Sequence, residues 1–409
     1  MEERRKRFQS RNIGIISTRI AGTDGVSLEI EKWADVLEKE AFRCFYLAGE
    51  LDRPPEQSYL VAEAHFTHPD VKDIYINCFD VEIRKRSTTD KLHQVKNHLK
   101  DHLEIFVDQF NLSMLLIENA LTIPLNLPLG VALTEFIMET GIPTIAHHHD
   151  FYWERERFMN HGIQDILDEA FPPNLEPIRH MVISTVARRE LRSRTGIRAT
   201  YLPNVFDFAN PPAPPDDYGD TFRQDLGLSE DDILILQPTR VIRRKAIERA
   251  IELVEKLEEP RAVLVITGDT KDEPGSYGDW LVQQANRAGI RFMFAAEWID
   301  DDRGEKDGHK VYSLWDVYPH ADLITYPSVI EGFGNALVET IYFKLPALVN
   351  RYDIYVADLA PKGFDLVEID GFDAEPFETL MTLLVDSFKV VDLFFFFIPE
   401  QAALAGDDG

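Results

Sequence analysis

Cysteine is nearly missing from the sequence. Cys44 and Cys78 are the only two, and they form no Cys-x-x-Cys spacing. That excludes a disulfide scaffold and a cysteine zinc site, and it fits a reducing cytoplasm. Long apolar runs are missing as well. Ile13 to Ile16, after the basic start Arg4-Arg5-Lys6-Arg7, is too short for a signal peptide and reads as a first strand. The run Phe394 to Ile398 falls far short of the ~20 apolar residues of a membrane helix, so no span is expected. A basic balance is absent too, with 43 Lys and Arg against 71 Asp and Glu and a net charge of -28. Nucleic acid and anionic membranes are thereby excluded as bulk partners, because phosphate arrays need a positive surface. There is no Gly-x-Gly-x-x-Gly dinucleotide fingerprint and no short-period repeat.

What is present is a soluble globular composition, 44% hydrophobic and 28% charged, in a chain of 409 residues, long enough for two cores. Apolar strand-like segments alternate with helical periodicity: strands near 12–18, 42–47, 73–78, 112–118 and 142–148, helices near 27–40, 89–110 and 128–140. Met181 to Ser184 and Tyr201-Leu202 complete this half. Pro211, Pro212, Pro214 and Pro215 beside acidic residues then break the pattern. A second series follows, with strands near 233–237, 263–267, 291–294, 323–326, 347–350 and 366–369. The expected fold is α/β, two Rossmann-like parallel-sheet halves with a ligand cleft between them. The expected division is 1–206, a linker at 207–220, 221–388, and an atypical tail at 389–409.

Chemistry concentrates at the carboxyl ends of strands. Glu331-Gly332-Phe333-Gly334-Asn335-Ala336-Leu337-Val338-Glu339 follows a strand and opens a helix. Helix N-termini leave amide N–H groups unpaired and suit phosphate. Glu331 and Glu339 bracket that loop, placed to grip hydroxyls on either side of a diphosphate. Arg240 and Lys245 follow the first strand of the second half and stand against the dipole of the helix they precede, so they point to phosphate binding. Gly25 ends the equivalent loop of the first half, where a plain turn is the simpler reading. His147-His148-His149-Asp150 ends an interior strand. Consecutive strand residues face opposite ways, so the three histidines cannot share one metal. His149, at the tip, is the one placed to reach a cleft, beside the aromatic rim Phe151-Tyr152-Trp153. The acid run Asp300-Asp301-Asp302 reads as a solvated loop.

These features in this order resemble the retaining family 4 glycosyltransferases of GT-B fold, over about residues 12 to 370. The resemblance rests on Gly25, on His149-Asp150, and on Leu202-Pro203-Asn204-Val205-Phe206-Asp207, in which Val205-Phe206 stands for the family's Gly-Val. It rests also on the Arg240-to-Lys245 spacing, with Ala246 where glycine is common, and on the Glu331/Glu339 pair. It implies that Arg240 and Lys245 bind the diphosphate with the amides of Phe333, Gly334, Asn335 and Ala336. It further implies that Glu331 holds the donor sugar, Glu339 the ribose, and His149 the sugar near the reacting carbon, while Gly25 approaches the diphosphate. The catalytic set so implied is Glu331, His149, Arg240 and Lys245. Acceptor choice would lie in the first half, with Glu118 to Thr122, Asn119, Asn126, His148, Asp150, Trp153 and Arg155, and with Arg157 and Arg84-Lys85-Arg86 to admit an anion.

The stretches Thr23 to Glu29 and His148 to Arg155 resemble the subgroup making mannosylglucosylglycerate-type solutes. The implied activity is hexosyl transfer from GDP-mannose or UDP-glucose to a small hydroxylated acceptor such as a glycerate glycoside or sugar. Implied partners are a nucleotide sugar and that acceptor, with no metal or other cofactor required, and association of copies stays open. Two alternatives remain, a GT-B sugar-nucleotide epimerase or hydrolase and a non-catalytic sugar-nucleotide-binding protein.

Overall fold

Branched apolar residues set the strands. Asn12–Ile16 (β1), Met114–Glu118 (β4), Ile233–Gln237 (β8) and Ala262–Ile266 (β9) are buried almost throughout, as a parallel sheet covered on both faces requires. The computed structural model describes residues 10–22, 25–206, 211–270, 275–300 and 302–370. The expectations for Thr23-Asp24, for 207–210 within the linker, for Asp301, for 371–388 and for the tail 389–409 lie outside the described residues.

The chain divides into two compact units. The first holds residues up to Pro211 together with Glu331–Val338 and Tyr352–Gly363; the second holds Pro212–Ile330, Glu339–Arg351 and the residues from Phe364. In the first, β1 and β4 are joined by Arg43–Ala48 (β2), Ser58–Leu60 (β3), Thr144–His148 (β5), Ile178–Val182 (β6) and Ala199–Tyr201 (β7). The order is β3-β2-β1-β4-β5-β6-β7, parallel at every pairing. In the second, β8 and β9 are joined by Arg291–Phe294 (β10), Leu323–Tyr326 (β13), Ala347–Asn350 (β14) and Val367–Ile369 (β15). Their order is β10-β9-β8-β13-β14-β15, again parallel. These are the two Rossmann-like α/β domains expected. Strand order reverses between β1 and β4 in one sheet and between β8 and β13 in the other, and such switch points are where ligands bind.

Each core follows from local pattern. Helix Arg86–Gln109 buries Leu92, Val95, Leu99, Leu103 and Phe106 at three- and four-residue steps. A Cβ on Gly14 of β1 would lie 2.6 Å from Leu112 and 2.8 Å from Phe106, so that helix packs directly on the strand. In the second unit, Ile247–Leu257 buries Ile247, Ala250, Ile251 and Val254 against its sheet. Each such isoleucine, leucine or valine contributes about 1.5–3 kcal/mol when fully buried.

One segment differs from expectation, and one hairpin was not foreseen. Residues 73–78, expected as a strand, fall largely in the helix Pro69–Ile76, which buries Val71 and Ile74 one turn apart. Pro69 at its first turn and Asp70 after it are helix-start signals that outweigh the apolar run. Downstream of the acid run, Gly304–Lys306 (β11) and His309–Val311 (β12) form an antiparallel hairpin. Its turn is Asp307-Gly308, both at positive φ, the strongest short hairpin signal. Among the described residues no helix is long and apolar enough to cross a membrane.

Candidate active site

In the first unit, the parallel register sets Glu118, the last residue of β4, opposite His147 of β5. Two residues further on, His149 returns to the same face. The Glu118 carboxylate is fully buried and lies 3.0 and 3.1 Å from His147 Nδ1 and 3.0 Å from His149 Nε2. Trp33 Nε1 approaches His147 Nδ1 at 3.3 Å from the helix Gly25–Lys39. Burial alone would raise Glu118, but the charge of His147 and hydrogen bonds from both rings hold it below the usual carboxylate range. Burial alone would depress His149, yet the hydrogen bond and charge of Glu118, aided by Glu29 and Asp150, carry it above its ordinary value. His148 faces the opposite side of the sheet, fully buried, with Nε2 2.8 Å from His180 Nδ1. Burial pushes it well down, so that ring is neutral.

The loop beginning at Glu331 belongs to this same unit and meets the tip of β5. A Cβ on Gly332 would sit 3.4 Å from Asp150 Oδ1 and 3.8 Å from the His149 carbonyl. Gly334 has φ 116°, a backbone region that disfavours any side chain. Asn335 opens the helix Asn335–Tyr342 and accepts from Asn204 Nδ2 at 2.9 Å. Glu331 is 8% exposed. Tyr352 Oη donates to the Phe333 carbonyl at 2.9 Å, and burial, with the charge of Glu331, keeps that phenol protonated. Thr185 donates its N–H at 2.7 Å and its hydroxyl to Asp358.

In the second unit the loops after β8 and β13 are stitched together at the switch point. Val329 N–H donates to the Arg244 carbonyl at 2.9 Å, and the Arg244 guanidinium donates to the Ile330 carbonyl at 2.8 Å. Gln237, fully buried at the end of β8, donates to the Lys245 carbonyl at 3.1 Å. Lys245 is itself 8% exposed, with Nζ 5.3 Å from the centre of the Tyr326 ring. Ala246 follows in a left-handed conformation, φ 48°, where an alanine is strained and a glycine is not. Arg240 is exposed and makes no ion pair among the described residues. Glu339 accepts from the buried Tyr318 hydroxyl at 2.7 Å.

The sequence-predicted residues therefore separate into groups. His149 and Asp150 meet the Glu331-Gly332 loop in the first unit, while Arg240, Lys245 and Glu339 lie in the second. Gly25 starts a helix, and among the described residues a Cβ there would meet nothing within 4 Å. Asn119, left-handed at φ 58°, turns its amide oxygen to the backbone N–H groups of His149 and Asp150 at 3.2 and 3.4 Å. It shapes the tip. Asp150 is paired with Arg155 at 2.6 Å. Trp153 stacks on Phe151 with centroids 4.5 Å apart.

Several residues expected on the acceptor side are engaged within the fold. Asn126, 2% exposed, caps the helix Leu127–Thr140 through Leu129 N–H and donates to the carbonyls of Glu63 and Ala64, so its amide is spent on the fold. His148 and Glu118 are fully buried, because the pleat turns one to the far face and the histidines cover the other. Arg84 is likewise committed to Asp165 through two 2.6 Å bonds. Sequence reasoning missed the Glu118 clamp and the Tyr318–Glu339 bond. The first had a signal, since a carboxylate ending a strand next to a histidine-rich strand pairs by register.

Residues 219–364 match the family described as glycosyl transferases group 1. The mannosylglucosylglycerate synthase of Petrotoga mobilis is 33% identical over 394 residues, covering 89% of this chain and 87% of that protein. The mannosylglucosylglycerate synthase of Thermotoga maritima is 30% identical over 388 residues, covering 87% and 84%. Among solved structures, sucrose-phosphate synthase from Thermosynechococcus elongatus superimposes with a TM-score of 0.63 at 15% identity, over 92% of this chain and 90% of that one. A glycosyltransferase from Rickettsia africae gives 0.65 at 12% identity over 93% and 89%. These likenesses are of fold.

Proposed function

The chain belongs to the group 1 glycosyltransferases, and from that premise we propose that it is a retaining hexosyltransferase joining mannose to a glucosylglycerate. The donor in this reading is GDP-mannose, with UDP-glucose as the alternative nucleotide sugar. What carries it is the 33% identity that runs through 87% of the Petrotoga mobilis synthase and so takes in both sheets, the acceptor half as well as the nucleotide half.

The residues have roles to match. Arg240 and Lys245 neutralise the diphosphate, and a nearly buried lysine does so strongly because little water screens it. The amides of Phe333 to Ala336 add uncharged donors. Glu331 holds the donor hydroxyls, Glu339 the ribose, and His149 an oxygen close to the reacting carbon. In the step itself the bond from the sugar C1 to the phosphate oxygen breaks while C1 bonds the acceptor hydroxyl oxygen on the same face. The acceptor proton passes to the leaving phosphate. The positive charges of Arg240 and Lys245 stabilise the charge that develops there. No metal is given a role, and turnover is expected to persist in EDTA.

The test is incubation of the purified chain with each nucleotide sugar and glucosylglycerate. Product formation is followed by nucleoside diphosphate release, and the anomeric configuration by NMR. Release with GDP-mannose and a product that keeps the donor's configuration is the expected result. Absence of any hexosyl product across the donor panel would sink the reading.

A further inference from the structure

The Glu118 carboxylate is fully buried, yet it is charged and faces two imidazoles. A buried carboxylate costs several kcal/mol in desolvation unless its oxygens are satisfied. Here both oxygens meet ring nitrogens near 3.0 Å, so the cost is offset by charge-assisted hydrogen bonds. Nothing in the packing of a parallel sheet asks for such a group. An aliphatic residue at the end of β4 would fill the same space without the penalty.

His149 is bound to Glu118 through Nε2. Its other nitrogen, Nδ1, has no partner among the described residues, and the side chain is 10% exposed. The backbone on either side is fixed as well, because Asn119 receives the N–H groups of His149 and Asp150. A ring held at one nitrogen and along its own main chain has one atom left to offer.

We propose that Glu118 is a positioning residue that clamps His149 through Nε2, so that Nδ1 is the atom His149 presents to an oxygen of the sugar-phosphate donor. The Glu118 carboxylate favours the protonated ring, and in that form Nδ1 carries a proton. It then donates a charge-assisted hydrogen bond and brings a positive charge to a place where negative charge grows. Without the clamp, burial would leave a neutral ring whose Nδ1 is as often an acceptor. The groups facing His149 are Glu118 from β4, Glu29 from the helix Gly25–Lys39, Asp150 beside it, itself paired with Arg155, and His147 and His148 from β5. Of these, Glu118 alone touches the ring with a carboxylate. The consequence for turnover rests on the glycosyl transfer proposed above, whereas the protonation of the ring does not.

The experiment compares the full-length wild-type chain with Glu118→Gln and Glu118→Asp. The His149 ring is followed by NMR in histidine-labelled protein, assigned by difference with His149→Ala, and kcat and donor KM are followed against pH. In the wild type, His149 should titrate above the ordinary value of 6.5. In Glu118→Gln it should fall below that value, with kcat down about tenfold or more, donor KM changed less than kcat, and the alkaline limb of the kcat profile moved to lower pH. Glu118→Asp, which keeps the charge on a shorter stem, should recover part of both effects. It also serves as the readout should the glutamine variant fold poorly. Unmoved ring titration in a folded Glu118→Gln overturns the inference. So does a stoichiometric divalent metal in the wild type that is lost on this substitution, because the ring lone pairs would then be engaged otherwise. Should no sugar donor turn over, the NMR titration still decides the clamp while the transfer reading falls on its own.

Discussion

Replacing Tyr318 with phenylalanine isolates the support beneath Glu339. The tyrosine is fully buried and stacks on Phe343 with centroids 4.8 Å apart, so the ring of a phenylalanine would stay where it is. What disappears is a hydroxyl that donates to Glu339 Oε2 at 2.7 Å and also bonds Thr340. Burial, then the charge of Glu339, keeps that phenol protonated across the working range. A hydrogen bond to a charged group contributes ~1.5–3 kcal/mol. Glu339 is half-buried, so water can partly replace the lost donor, and the lower figure applies. At ~1.5 kcal/mol the melting temperature of a unit this size should fall by about 3–6 °C. If Glu339 grips the ribose, its loosened carboxylate should also weaken GDP binding by up to about tenfold while kcat changes little. Calorimetric melting and titration with GDP read the two effects separately. Lower melting with unchanged GDP affinity would refute the ribose role of Glu339. An unchanged melting temperature would refute the strength assigned to the bond.

Other expectations are as direct. Lys245→Ala should abolish turnover in an assay of nucleotide release, and unchanged kinetics would remove the diphosphate assignment. GDP or UDP should raise the melting temperature, by an amount equivalent to about 2.7 kcal/mol at a hundredfold excess over Kd, and NAD should not. Glu258, exposed and left-handed at φ 49°, should accept glycine with a gain of about 0.5–1 kcal/mol in chemical denaturation. Ala246→Gly should come out near neutral, because the relieved strain is matched by a buried methyl lost and a freer unfolded chain. The Glu118–His149 pair gives stability a pH window. Glu118, lowered on folding, contributes above its ordinary 4.5 and loses that as pH falls through its folded value. His149, raised on folding, contributes fully below its ordinary 6.5 and loses that as pH rises through its folded value. Denaturation midpoints should therefore be flattest between 4.5 and 6.5 and fall on both sides, and Glu118→Gln should blunt both slopes.

Much of this was legible because it is local. A run of branched apolar residues makes β8 and β9, and proline and glycine mark where strands and helices stop. The alternation of the strand already separated His148 from His147 and His149. A glycine loop ahead of a helix marked the segment from Glu331 to Glu339, and the structure has that loop between β13 and the helix Asn335–Tyr342. Residues 73–78 misled because an apolar run that short serves a helix or a strand equally, and Pro69 decided it.

The sequence by itself determined the class of the protein: two parallel sheets, loops rich in charge at their carboxyl ends, and a residue pattern that belongs to glycosyltransferases. Those properties depend on neighbours in the chain. Only the tertiary structure decided which side chains are spent and which are offered. Strand register put Glu118 under His149, a relation across 31 residues that no period along the chain encodes. Packing turned Asn126 into a cap and joined Asn335 to Asn204, 131 residues away. It also drew Glu331 into the first unit and left Glu339, eight residues later, in the second. Such pairings are set by how strands align and what burial demands of each polar atom, and both are properties of the folded whole.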